Sequence, residues 1–116
     1  MKISLIIFTL LFTFSTAQAR YKAHVTKQLK GQEYYIKQCS SCHGEGNRGG
    51  NLYSQREWEK IFSANGLDLI ELHDGEDNIE KVIKYIKSDK FKKQSPKMLS
   101  FIQEFAYDSN TIPTCN

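Results

Sequence analysis

Apolar residues in this chain recur at helical rather than strand spacing. Trp58, Ile61 and Phe62 stand at i, i+3 and i+4, and Leu99, Ile102, Phe105 and Ala106 return every three to four residues. No strand-type alternation and no internal repeat stands out. The pattern predicts a first helix over residues 25–38 and a glycine-rich, irregular loop over 44–51. It predicts a second helix over 54–62, with Ser54 as its cap and Glu57 three residues on. An Asn65-Gly66 turn precedes a short helix over 67–73, and Asp77 or Asn78 can cap a further helix running to about residue 86. The last helix is expected to start near Ser95-Pro96, where proline suits the first helical position, and to end in the Asp108-Ser109-Asn110 turn. The expected class is all-α.

The N-terminus changes the picture of where this bundle resides. Lys2 gives a positive start, residues 3–14 form an apolar run, and Ala17-Gln18-Ala19 matches an A-x-A cleavage site. The expected organisation is a cleaved secretory signal over 1–19, one domain over 20–110 and a short tail over 111–116. The apolar run is too short for a spanning helix of about 20 residues, and no later segment is apolar enough. No stable membrane insertion is expected after cleavage.

Candidate chemistry centres on Cys39-Ser40-Ser41-Cys42-His43, the C-x-x-C-H signature of covalent haem attachment. Both thiols add across porphyrin vinyl groups, and the adjoining imidazole reaches the iron. Two intervening residues put both sulfurs on one edge of the ring, with His43 directed at the metal. A redox-active thiol pair is the first rival, but it belongs near a βαβ pattern that is lacking here. A zinc site is the second, and it would have to recruit two further ligands from Cys115, His24 and His73. Bacterial thioether attachment takes place outside the cytoplasm, so motif and signal support one another and point to the periplasm.

The residues leading into the motif carry a resemblance. Gly31, Tyr35, Cys39, Cys42 and His43 stand in the register G-x-x-x-aromatic-x-x-x-C-x-x-C-H, and the chain resembles the small monohaem class I c-type cytochromes of bacteria over nearly all of its mature length. That resemblance implies N- and C-terminal helices crossing around one covalently bound haem c. Gly31 would allow the close crossing and Tyr35 would pack there, met by Ile102 and Phe105 or by Phe101 and Phe105. It also implies electron transfer rather than catalysis, with His43 as the proximal iron ligand. The chain departs from the family at Gly49-Gly50-Asn51-Leu52, where a proline is usual. Which carbonyl orients His43 is therefore open. Arg48 and Trp58 are candidate propionate contacts; the alternatives are a solvent-facing loop charge and an ordinary core indole.

The family expectation for the sixth iron position is a methionine, and Met98 is the one methionine beyond the signal. Its place in the first turn of the expected last helix equally suits plain core. His73 is the alternative distal ligand, and its own alternative is a helix C-terminal cation. The expected function is periplasmic electron transfer, as a soluble carrier or as the haem subunit of an exported oxidoreductase. An open or exchangeable axial site would instead serve small-gas binding or peroxidase-type chemistry.

Charge adds less. Sixteen Lys and Arg against thirteen Asp and Glu leave +3, and removal of the signal lowers this by one. Seven lysines between Lys81 and Lys97 form either a docking surface for an acidic redox partner or a solvated helix face. No nucleic-acid motif is present. Cys115 has no counterpart once Cys39 and Cys42 are consumed, which makes a disulfide with a partner chain one expectation and a harmless thiol the other.

Overall fold

A computed structural model describes residues 26–44 and 46–110, save the side chains of Asn47 and Arg48. The expected signal segment, His24, the Arg48 side chain, the tail and Cys115 lie outside the described residues. No strand occurs among those described. The helices are α1 (Leu29–Gln38), α2 (Ser40–His43), α3 (Gly46–Gly49), α4 (Gln55–Phe62), α5 (Leu67–Glu71), α6 (Glu80–Ile86) and α7 (Asp89–Gln103). Short 3-10 turns at Gly50–Leu52 and Ala64–Gly66 join α3 to α4 and α4 to α5. The expected all-α class is observed.

Helices α1 and α7 pack directly on one another. Gly31 is buried at this contact, where a side-chain Cβ would overlap the Lys97 carbonyl and stand 2.8 Å from Phe101 Cβ. Glycine inside a helix costs about 1 kcal/mol relative to alanine, and here the close approach of two backbones offsets that cost. Of the aromatics expected opposite, Phe101 makes the contact: its ring centroid lies 5.4 Å from that of Tyr35. The chain entering α1 is tied to the end of α7, since Lys27 N and Gln28 N donate to the Glu104 carboxylate at 3.3 and 3.0 Å.

Helix α4 starts as its residues predict. Glu57 N donates to Ser54 Oγ at 3.2 Å and Ser54 N donates to Glu57 Oε2 at 2.8 Å, a complete capping box. Trp58, Ile61 and Phe62 then turn inward. They join a core that includes Phe91, Met98 and Phe101, each about 1 % exposed, together with Tyr35, Ile86, Ile102, Phe105 and Ala106.

Several element boundaries differ from expectation. Helix α7 begins at Asp89, with Ser88 Oγ accepting from Phe91 N at 3.3 Å, so Pro96 lies inside the helix instead of opening it. The missing proline N–H would have bonded the Lys92 carbonyl. Both residues are exposed, so water can hydrate that carbonyl. Helix α6 is entered from Ile79, because Asn78 adopts a left-handed φ of 58° and cannot act as an extended cap. Helix α1 starts at Leu29, after Thr26 Oγ1 has accepted from Gln28 N. The glycine-rich segment is a helical turn followed by a 3-10 turn rather than irregular loop. Its Gly46 and Gly50 lie against Phe101 and Phe105 of the C-terminal segment. No helix among the described residues is long and apolar enough to cross a membrane.

Candidate haem-binding site

The motif Cys39-Ser40-Ser41-Cys42-His43 continues α1 through a single tightened turn. Cys39 N donates to Tyr35 O at 2.8 Å, and Cys42 N and His43 N both reach Cys39 O, at 3.3 and 3.1 Å. Cys39, which caps the short helix α2, and Cys42 and His43 within it thus lie on one turn. Gly44, at φ 67°, ends it.

All three side chains line one cavity of about 430 Å³, inside the range of about 300–1,000 Å³ usual for cofactor sites. Its far wall comes from α5 and the turn after it, through Leu69, Leu72 and His73. Its floor is apolar, with Trp58, Phe62, Ile86, Phe91, Met98 and Ile102. The exposed carboxylates of Glu76 and Asp77 stand at its edge.

Across this space the two histidines meet. His43 Nε2 lies 3.4 Å from His73 Nε2, with the rings edge to face at 89°. His73 Nδ1 lies 2.7 Å from Leu69 O. A carbonyl oxygen only accepts, so Nδ1 carries the hydrogen of the neutral ring and Nε2 keeps its lone pair. Burial, and then the neighbouring His73, lower the pKa of His43 and favour its neutral form.

The burial of the Cys39 thiol argues against a redox pair. Burial, with Cys42 adding to it, pushes the Cys39 thiol up to about 12. Redox-active C-x-x-C thiols are held low instead. Among the described residues, no group of three or more His, Cys, Asp or Glu side chains is placed to hold a bare metal ion; His24 and Cys115, two of the further zinc ligands considered, lie outside those residues. Tyr35 also lines the cavity. Its buried hydroxyl has no hydrogen-bond partner among the described residues, and burial, with Cys39 second, pushes it up to about 12. A broad apolar space with thiols and an imidazole on one wall, a second imidazole facing it and an orphaned phenol fits a haem.

The remaining expected site residues divide. Met98 lines the cavity but stands in the middle of α7, fully buried. Trp58 lines it too, yet its indole N–H donates to Gly50 O at 2.7 Å. An indole has one donor, and here it anchors the post-motif loop. All seven lysines from Lys81 to Lys97 are exposed and none lines the cavity. The Leu69 carbonyl was not anticipated as a site group. Its signal was present, because residue 69 precedes His73 by the four residues of a helical turn.

An all-α domain that closes an apolar cavity with a C-x-x-C-H turn defines a c-type cytochrome. The family model for cytochrome c oxidase, cbb3-type, subunit III matches residues 26–103, and the chain belongs to that family. The chemistry of this domain is haem-based electron transfer, and it acts as an electron carrier. No curated protein and no solved structure matches the chain.

Proposed function

We propose that this chain is an exported carrier of one haem c, bound through thioethers from Cys39 and Cys42 with His43 as proximal iron ligand. It serves the periplasm as a soluble electron shuttle or as the haem subunit of an oxidoreductase. The observation that carries the reading is the single turn bringing Cys39, Cys42 and His43 to one wall of an apolar cavity of about 430 Å³. Bound there, a haem supplies a one-electron ferric–ferrous couple. The protein's part is to hold and tune it. Cys39 and Cys42 fix one edge of the ring, His43 donates its lone pair, and Trp58, Phe62, Phe91 and Ile102 keep water from the macrocycle. Exclusion of water and axial ligand identity are the levers on the potential.

The redox partner meets an edge bearing Glu76 and Asp77, with the lysine-rich surface of α6 and α7 outside the cavity. The open-site alternative, gas binding or peroxide chemistry, is opposed by His73 facing His43 at 3.4 Å. Expression with haem-attachment machinery, followed by a spectroelectrochemical titration, tests the assignment. The expected result is one reversible one-electron wave, with negligible peroxide turnover. Rapid peroxide turnover would overturn it in favour of the enzyme reading.

A further inference from the structure

We infer that His73, and not Met98, is the second axial ligand, so that the haem iron is held between two imidazoles. This rests on the haem reading above and goes beyond it by naming the chemistry of the distal side.

Three observations converge. The first is distance. Two imidazole nitrogens bound on opposite sides of one first-row metal ion, at about 2 Å each, stand about 4 Å apart. His43 Nε2 and His73 Nε2 stand 3.4 Å apart across the cavity, so a movement of about half an ångström separates this arrangement from a shared ion. The second is protonation. The His73 Nδ1–H donates to Leu69 O at 2.7 Å, which leaves the Nε2 lone pair directed at His43. A ring N–H held by a backbone carbonyl is the usual support of a metal-ligating histidine. The third is location. His73 follows the C-terminus of α5 in a turn that can shift by a fraction of an ångström without disturbing a helix, and it is only partly buried.

Met98 has the opposite character. It is about 1 % exposed, in the interior of a fifteen-residue helix, between core positions Phe91 and Phe101. Moving its sulfur to an iron would require withdrawing a packed core side chain. A helix C-terminal cation does not account for His73 either, because its Nε2 faces another imidazole at 3.4 Å.

The test uses the haem-loaded full chain. Electron paramagnetic resonance and near-infrared magnetic circular dichroism of the ferric protein are expected to give a low-spin bis-imidazole signature. Met98→Leu, a change in the apolar floor of the cavity, is expected to keep the bis-imidazole signature in both spectra. His73→Ala is expected to lose the bis-imidazole signature and to gain rapid carbon monoxide binding in the ferrous form. His73→Met is expected to raise the potential, because thioether ligation favours the ferrous state. A methionine-to-iron charge-transfer band in the wild type that disappears in Met98→Leu would overturn the inference, as would a high-spin five-coordinate wild type. Either result leaves the haem reading standing. Loss of haem from the wild type on denaturation would instead refute the covalent reading beneath it.

Discussion

His43 and His73 face each other with Nε2 atoms 3.4 Å apart, although they stand thirty positions apart in the chain with helices α3, α4 and α5 between them. The capped start of α4 and the turn at Ala64–Gly66 bring α5 back over the motif. The Leu69 carbonyl then sets the His73 ring. Site chemistry therefore depends on the scaffold between the two rings, and the scaffold is open to direct test.

Gly31→Ala sets two effects of opposite sign against each other. Helix propensity alone would stabilise α1 by about 1 kcal/mol. The new methyl would meet the Lys97 carbonyl and Phe101 Cβ, and overpacking of this kind costs about 1–3 kcal/mol. Because one neighbour is backbone, the clash is expected to win. Denaturant unfolding of the haem-loaded variant should show a lower midpoint, and a raised midpoint would contradict the close α1–α7 contact.

Trp58→Phe removes the donor to Gly50 O. A buried carbonyl left without a partner costs about 1–3 kcal/mol. The variant is expected to melt earlier while its potential stays close to that of the wild type, since the N–H serves the loop rather than a propionate. Thermal unfolding and a redox titration on the same preparation check both halves.

Ser54→Ala breaks the capping box and is expected to cost about 1 kcal/mol. The same box makes stability depend on acid. The Ser54 backbone N–H, followed by its hydroxyl, holds the Glu57 carboxyl below its ordinary 4.5. A carboxyl lowered by folding stabilises the protein above the unfolded value and loses that contribution as pH falls through the folded value. Unfolding midpoints should therefore drop below about pH 4.5 in the wild type. Glu57→Gln should remove that component of the drop.

Local features of this domain were legible from spacing. The run from Gly31 through Tyr35 to the capping Cys39 spans one helix and its end, so its register needs no tertiary information. Ser54 and Glu57 are likewise a local pair. What escaped were choices between neighbours on the same face. Phe101, Ile102 and Phe105 all turn inward, and only the depth of Gly31 against Lys97 selects Phe101. Pro96 is a strong local start signal, but the Ser88 cap and the burial of Phe91 extend α7 upstream of it. Trp58 could have reached solvent, a propionate or the backbone. The path of the loop at Gly50 brings a carbonyl within 2.7 Å of the indole nitrogen. Spacing does not decide between His73 and Met98 as ligands, because imidazole and thioether both bind haem iron, both residues lie downstream of the motif, and their distance from His43 is a property of the packed chain.

The central claim is covalent attachment of one haem at Cys39 and Cys42, and intact mass spectrometry of the denatured mature protein tests it most directly. The expected result is the polypeptide mass plus one haem, falling to the bare polypeptide mass when both cysteines are changed to alanine. A wild-type protein of bare polypeptide mass, matured alongside a control cytochrome that does acquire its haem, would contradict it.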